Sequence, residues 1–170
     1  MDHFALPEDE LALARANGTL QRNFQGYSTH ADCDLIGLGV SSIGKVGDSY
    51  SQSVKELSQY YARIDQGLLP VHRGYRLNAD DLLRREVISD LMCHGRIAFD
   101  KYEVRHGIRF TEYFAEALAQ LGEHVRDGLL QIHHDELVLL PQGHLMMRSA
   151  AMAFDAYLGG EQKGQFSRTV

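Results

Sequence analysis

The feature that most constrains the fold is a short, uninterrupted apolar run at residues 35–40, LIGLGV. Such a run is typical of a strand that is buried on both faces of a parallel sheet. A glycine-bearing loop follows, and residues 51–66 then carry apolar side chains at helical spacing: Val54, Leu57, Tyr61 and Ile64. A strand, a loop and a helix in this order need further parallel strands beside them, and residues 1–77 contain no other run of this quality. We therefore expect residues 1–77 to be the end of a larger domain.

The sequence predicts little other regular structure within residues 1–77. A short helix is expected up to residue 16, with Pro7 and the acidic residues 8–10 in its first turn and Gly18 as its stop. Residues 20–29 are irregular and polar-aromatic, which indicates a loop. A connector that contains glycine and proline is expected at residues 67–77.

After residue 78 the pattern changes to that of a mostly helical domain. Helical spacing, glycine stops and alternating apolar residues predict helix, helix, helix, hairpin and helix, at residues 80–93, 100–106, 111–125, 129–140 and 145–158. This order is typical of a winged-helix-like domain at residues 78–158. A polar tail at residues 159–170 contains one aromatic side chain, Phe166, which suggests that the tail docks. The expected fold class is α+β.

The charge balance argues against nucleic-acid binding. The 170 residues include 17 Lys and Arg against 23 Asp and Glu, a formal net charge of −6. The helix of a winged-helix domain that would read DNA, residues 112–125, carries Glu112, Glu116 and Glu123 and no Lys or Arg before Arg126. Its negatively charged side chains would repel the phosphates of DNA.

No apolar run approaches a membrane span of about 20 residues, and no secretory signal is present, so we expect a cytoplasmic protein.

Metal-binding and nucleotide-binding motifs are weak. Cys33 and Cys93 form no CxxC or CxxxCxxC cluster, and the adjacent His133 and His134 point to opposite faces of a strand. We therefore predict no metal ligand and no catalytic residue. The glycines of residues 37–47 fit neither GxGxxG nor GxxxxGK[ST], and turn formation or close approach to a ligand both remain open for them.

Several runs of the sequence resemble the oxygen-independent coproporphyrinogen III oxidases, a radical S-adenosylmethionine (SAM) family of oxidoreductases in haem biosynthesis. The runs are MDHFA at 1–5, RNFQGY at 22–27, DLIGLGVS at 34–41, YFAE at 113–116 and QFSR at 165–168. They follow the family's order and span the whole chain. The NFQGY run and the QFSR terminus separate this family from its haem-chaperone relatives.

The resemblance implies a C-terminal fragment. Residues 1–77 would be the last strand and helix of an incomplete radical-SAM barrel, and residues 78–158 the domain that covers the porphyrinogen site. In the family, a 4Fe-4S cluster held by CxxxCxxC cleaves SAM to a 5′-deoxyadenosyl radical, which abstracts hydrogen from a propionate. Loss of CO2 then leaves a vinyl group, and two such steps convert coproporphyrinogen III into protoporphyrinogen IX.

The resemblance also implies cofactor-binding residues. Phe24, Gln25 and Ile43 match family residues that line a second SAM molecule. Gln25 offers an amide donor and acceptor, Phe24 a face for an adenine or a sulfonium, and Ile43 a dry wall. Plain core packing is the alternative explanation for Phe24 and Ile43.

Two departures from the family pattern limit what the chain can do alone. It lacks the CxxxCxxC motif and the glycine-rich SAM segment of the barrel, so we expect it to be inactive without an N-terminal barrel as partner. The strand at residues 35–40 would offer open edges to other chains and promote self-association. The alternative is a non-enzymatic module that binds a partner protein, or haem through His94, His106 or His133.

Overall fold

The structure is a computed structural model that describes residues 5–30 and 33–158. The chain divides into two compact units, Met1–Ser89 and Asp90–Val170. The resemblance run at residues 1–5 therefore lies almost wholly outside the described residues, and the proposed docking tail at 159–170 lies wholly outside them. The domain boundary between residues 77 and 78 stays a prediction.

The first unit begins with a helix and a hairpin. Helix α1 (Glu10–Ala16) is capped by Asp9, whose side chain accepts a hydrogen bond from the Leu11 backbone. The predicted helix is therefore present, but it begins at Glu10 and not at Pro7. Strands β1 (Gln21–Asn23) and β2 (Gly26–Ser28) then form an antiparallel hairpin. The loop expected at residues 20–29 was therefore wrong. Three-residue strands are too short to produce a readable alternation.

A three-stranded antiparallel sheet follows in the order β3-β4-β5. Its strands are β3 (Ile43–Val46), β4 (Ser49–Ser53) and β5 (Val71–Arg76), and a two-residue turn joins β3 to β4. Helix α2 (Leu57–Asp65) lies between β4 and β5 in the sequence. The predicted strand, loop and helix of a parallel sheet was therefore wrong, as was the connector expected at residues 67–77.

The apolar run at residues 35–40 is not a buried strand. Leu35 forms one isolated bridge with Lys45, while Ile36 and Leu38 are 76% and 85% exposed. A Cβ atom on Gly37 would lie 2.7 Å from the carbonyl oxygen of Ile43, so this segment approaches β3 through a residue without a side chain. The run therefore contacts the sheet by its glycine and leaves its large side chains in solvent.

The helix predicted at residues 51–66 begins only at Leu57. Val54 is buried beside the end of β4, whereas Leu57, Tyr61 and Ile64 are exposed along α2. Their common spacing joined residues of two different elements into one apparent helical face. Residues 51–53 instead continue β4, where serine alternates with larger polar residues.

Helix α3 (Ala79–His94) carries the chain into the second unit. Asn78 and Asp81 form a reciprocal capping box, since each side chain accepts a hydrogen bond of 2.9 Å from the other's backbone N–H. Gly95, in the left-handed conformation with φ +69°, follows its last residue. The predicted helix at residues 80–93 is confirmed.

The second unit combines short helices with a three-stranded antiparallel sheet. The helices are α4 (Phe99–His106), α5 (Phe110–Tyr113), α6 (Ala115–Gln120), α7 (Gly122–Arg126), a 3₁₀ helix (Pro141–Met146) and α8 (Met147–Met152). The strands are β6 (Arg96–Ala98), β7 (Leu130–Ile132) and β8 (Glu136–Leu139), in the order β6-β8-β7. The predicted hairpin and the helix ending before Gly107 are confirmed.

Two predicted helices of this unit are interrupted. The helix expected at residues 111–125 is three short helices, α5 to α7, and the helix expected at 145–158 ends at Met152. A 3₁₀ helix precedes α8, and a Cβ atom on its Gly143 would lie 1.8 Å from the Leu129 carbonyl oxygen. The 3₁₀ turn brings the Gly143 backbone that close to the chain before β7.

Aromatic rings form the core of the second unit. Phe110 stacks on Phe99 with ring centroids 4.4 Å apart and contacts Phe114 and Tyr102 at 4.7 and 5.6 Å. Phe154 closes the cluster against Phe114 at 5.5 Å. All five rings are buried, so this cluster is the main apolar core of the unit.

Candidate ligand-binding site

The NFQGY run forms the tip of the β1-β2 hairpin. The Asn23 side chain accepts a hydrogen bond of 2.8 Å from the Gln25 backbone, and Gly26 adopts φ +135°, which only glycine tolerates easily. The turn places Phe24 and Gln25 at the exposed tip, and 55% of Phe24 is accessible. Core packing is therefore the wrong explanation for Phe24.

The Phe24 ring leans against the neighbouring sheet. It forms a T-shaped pair with Tyr50 of β4, with ring centroids 5.4 Å apart and an interplanar angle of 82°. The guanidinium of Arg22 lies over the Tyr27 ring at 5.9 Å, which stiffens the hairpin below its tip. Phe24 thus contacts the sheet while more than half of its surface stays exposed.

Ile43 begins β3, directly after the glycine-rich loop. The Gly39 N–H donates a 3.1 Å hydrogen bond to the Tyr60 hydroxyl of α2, and the Ser42 hydroxyl donates one of 2.8 Å to the Gly39 carbonyl. Ser41 adopts φ +56°, an uncommon conformation for a residue with a side chain. Helix α2 therefore fixes the loop that sets the position of Ile43, which is half-buried.

Ile43 and the partner of Phe24 share one face of the sheet, because paired residues of antiparallel strands project to the same side. The strand register places six residues there: Ile43, Lys45, Tyr50, Gln52, Arg73 and Tyr75. We call this set the Ile43 face. With the hairpin tip, it combines aromatic, apolar, amide and cationic groups on one surface.

The structure thus brings Phe24 and Ile43 to the same face, with Gln25 beside Phe24. It also adds Tyr50, Gln52 and Arg73, which the sequence analysis missed. The alternation in SYSQS was an available signal, since it places Tyr50 and Gln52 on one side of a strand.

The glycines of residues 37–47 form turns or allow two backbone segments to approach closely. Gly39 and Gly47 have φ +97° and +52° at turns. A Cβ atom on Gly44 would lie 3.1 Å from the Leu35 carbonyl oxygen, so Gly44 allows the same close approach as Gly37. Turn formation and packing of one backbone on another account for these four residues.

The remaining candidate residues are dispersed. His94 ends α3, His106 ends α4 and His133 follows β7, so the three histidines lie on different elements. Cys33 is exposed and Cys93 is buried, and neither forms a disulfide. Within residues 5–30 and 33–158, no group of three or more His, Cys, Asp or Glu side chains is arranged to hold a metal ion. The haem-binding alternative stays a prediction.

None of the helices in the described part of the chain combines the length and the apolar character that crossing a membrane requires.

Comparison with known families shows what the two parts of the chain are similar to. Residues 77–146 match the HemN C-terminal domain family. The whole chain is 47% identical to the oxygen-independent coproporphyrinogen III oxidase of Pseudomonas aeruginosa and 46% identical to that of Salmonella typhimurium. The resemblance to this family is therefore confirmed.

A solved structure agrees with these relatives. The structure titled "Coproporphyrinogen III oxidase (HemN) from Escherichia coli is a Radical SAM enzyme" superposes with a TM-score of 0.89 and 44% identity, over 93% of this chain. The match covers 36% of that structure, and the chain spans 37% of the length of the two curated relatives. The similarity thus extends through nearly all of this chain and about a third of the proteins it matches.

Proposed function

We propose that this chain is the C-terminal part of a radical SAM oxidoreductase that decarboxylates two propionates of coproporphyrinogen III to vinyl groups, giving protoporphyrinogen IX in the cytoplasm. The single observation that carries the proposal is the similarity to curated oxidases over 100% of the chain at 47% identity. A TM-score of 0.89 at 44% identity supports a shared backbone.

Uncovered apolar side chains support the proposal that further chain belongs beside this one. Leu57, Tyr61 and Ile64 recur at helical spacing on α2 and are 59%, 56% and 44% exposed. Ile36 and Leu38 of the preceding segment are also exposed. Large side chains at helical spacing normally face a protein core. The N-terminal barrel of a full-length enzyme is the partner that we propose for these side chains.

Within this enzyme, we propose that residues 1–77 adjoin the end of the barrel through their antiparallel sheet, rather than supply its last strand and helix. We assign residues 78–158 to a winged-helix-like domain that covers the porphyrinogen. The order of elements in the second region supports the latter assignment. A helix precedes β6, further helices precede the β7-β8 hairpin, and β6 pairs with β8. A docking role for residues 159–170 is part of the same proposal.

The hairpin tip and the Ile43 face suit the second SAM molecule. Phe24 offers an open aromatic face for an adenine or a sulfonium, and Gln25 offers amide hydrogen bonds. Ile43 excludes water from one wall. Because Asn23 and Tyr50 already hold the hairpin tip in place, the ligand would not have to order it.

The chain does not supply the iron-sulfur cluster. Its two cysteines, Cys33 and Cys93, lie 60 residues apart, whereas the cluster needs three thiolates at close spacing. The cluster, when bound to the missing barrel, would supply the electron for SAM cleavage. We therefore expect the isolated chain to be inactive, and anaerobic incubation with iron, sulfide and SAM to give no 5′-deoxyadenosine above a protein-free control.

A chimera tests the proposed enzyme directly. The part of the Pseudomonas aeruginosa oxidase that the similarity leaves uncovered is joined to this chain, reconstituted anaerobically and supplied with coproporphyrinogen III and SAM. We expect protoporphyrinogen IX to form, and only when the chain is present. A folded chimera that binds its cluster but yields no product would contradict the proposal.

A pair of aromatic substitutions tests the SAM site on the chain itself. Phe24 and Tyr61 are equally accessible, at 55% and 56%, but only Phe24 lies at the proposed site. We expect Phe24→Ala to raise the Kd for SAM about five- to tenfold, as loss of one aromatic contact of about 1–1.4 kcal/mol implies. Tyr61→Ala should leave the Kd unchanged in the same titration calorimetry. Equal effects of the two substitutions would remove Phe24 from the site.

A further inference from the structure

Two rows of side chains cross the Ile43 face. One row runs Ile43, Gln52, Arg73 and the other Lys45, Tyr50, Tyr75, each with one residue per strand. Arg73 therefore lies in the same row as Ile43, one strand beyond Gln52. It stands on β5, a strand whose six residues are all exposed.

Gln52 forms side-chain hydrogen bonds both to Arg73 of its row and to the loop before β3. Its Oε1 accepts a 2.9 Å hydrogen bond from Arg73 Nε, and its Nε2 donates one of 3.3 Å to the Ser41 carbonyl. The Gln52 amide is thus anchored at both ends, and it fixes the direction of the Arg73 side chain. The two Nη groups of Arg73 find no acceptor among the described residues, which leaves the end of the guanidinium for a ligand.

The charge of the face favours an anion. The charged side chains that the strands place there are Lys45 and Arg73, and both are cationic. A carboxylate that contacts this face, that of Asp81, accepts a 3.1 Å hydrogen bond from the Tyr75 hydroxyl and a backbone bond from Asn78. A guanidinium that presents two parallel N–H groups matches the geometry of a carboxylate better than a point charge does.

We propose that Arg73, oriented by Gln52, binds a carboxylate of the ligand that occupies the Ile43 face. This inference rests on the proposed function, because it needs a ligand at Phe24 and Ile43. The shared chemistry has two sources in that reaction, namely the amino-acid carboxylate of SAM and a propionate of the porphyrinogen. The position of Arg73 makes it a specificity residue that distinguishes ligands with this group from those without it.

Matched ligands test the proposal on the 170-residue chain. SAM is compared with decarboxylated S-adenosylmethionine, and coproporphyrin III with its tetramethyl ester, by titration calorimetry and absorbance. We expect Arg73→Gln to raise the Kd for SAM or for coproporphyrin III roughly tenfold or more. The Kd for the carboxylate-free counterpart should not change. The arm that shows the loss identifies the carboxylate that Arg73 binds.

Arg76→Gln is the matched control, because Arg76 lies on the same exposed strand but projects to the opposite face, opposite Ser49. It removes the same charge and should leave every Kd unchanged. Because both arginines are exposed, neither substitution disturbs packing, and thermal melts of the variants verify this.

The outcomes separate this inference from the proposed function. If the wild-type chain binds SAM in a Phe24-dependent manner and Arg73→Gln binds like wild type in both arms, Arg73 has no such role while the proposed site stands. Equal losses for a ligand and its carboxylate-free counterpart, or equal losses in Arg76→Gln, also overturn the role of Arg73. If the wild-type chain binds neither ligand, the proposed site fails, and Arg73 with it.

Discussion

The two units of the chain differ in the burial of their described phenylalanines. In the second unit, Phe110, Phe114 and Phe154 pack ring against ring and have at most 1% of their surface exposed. In the first unit, the aromatic residues Phe24 and Tyr61 remain more than half exposed. The second unit therefore contains the kind of core that stabilises a domain by itself, whereas the first presents much of its apolar surface to solvent.

The difference in burial indicates which aromatic rings stabilise the fold and which remain available to bind a ligand. An aromatic ring buried among other rings contributes free energy of folding, since it leaves water entirely. A ring fixed at an exposed tip contributes little to folding and keeps its surface for a ligand or a neighbouring segment. The same residue type, phenylalanine, thus has a structural role in one unit and a proposed binding role in the other.

Amide hydrogen exchange should show the largest contrast. We expect the amides of β8, whose side chains alternate into the core, to exchange only on global unfolding, at a free energy on the order of 5–15 kcal/mol. The amides of β5 should exchange through local opening at a small fraction of that energy. Exchange is measured on a chain shown to be monomeric by ultracentrifugation, because pairing through the open edge of β5 would protect it. Uniform protection in a monomer would contradict the comparison.

Two phenylalanine substitutions should differ by several kcal/mol in their effect on stability. Phe110→Ala leaves a cavity among Phe99, Tyr102 and Phe114, and we expect it to lower the free energy of unfolding by about 3–5 kcal/mol. Phe24→Ala should lower it by less than about 1 kcal/mol. Urea denaturation followed by far-UV circular dichroism measures both. Similar losses would mean that the hairpin tip is as structural as the core.

A smaller contrast is expected for two tyrosine hydroxyls. Tyr102 is fully buried and donates to the Asp90 carboxylate, which also binds Lys101. Tyr102→Phe should therefore lower the free energy of unfolding by about 1 kcal/mol. Tyr75 donates to Asp81 but is half exposed, so Tyr75→Phe should cost only a few tenths of a kcal/mol, because water replaces the lost partner. The same urea titrations measure both losses in the free energy of unfolding. Equal losses would mean that burial of the hydroxyl does not determine the size of the effect.

The elements that the sequence predicted correctly are those whose signals are local. Helix α3 has apolar residues at helical spacing, a capping box at Asn78 and a glycine stop at Gly95, all within one short segment. The β3-β4-β5 sheet gave a weaker signal, the alternation of serine with larger residues in β4. Val54 at the margin of the sheet shares the spacing of the α2 residues that follow, which favoured a helix instead.

The site could be predicted only in part for the same reason. Phe24, Gln25 and Ile43 came from the family resemblance and not from any periodicity. Arg73 lies 21 positions from Gln52 in the sequence and reaches it only through the pairing of β4 with β5. Cross-strand register depends on the whole sheet, so residues that it brings together leave no pattern within a single segment.

The two-residue turn between β3 and β4 also limits how this sequence can change over time. Val46 pairs with Ser49, so every later side chain of β4 is assigned to a face by counting from that turn. One residue inserted within the strand ahead of Tyr50 would send Tyr50 and Gln52 to the opposite side and bring serines to the Ile43 face. Substitutions can therefore change the side chains of this surface one position at a time. A single-codon insertion in β4 would instead replace several of them together.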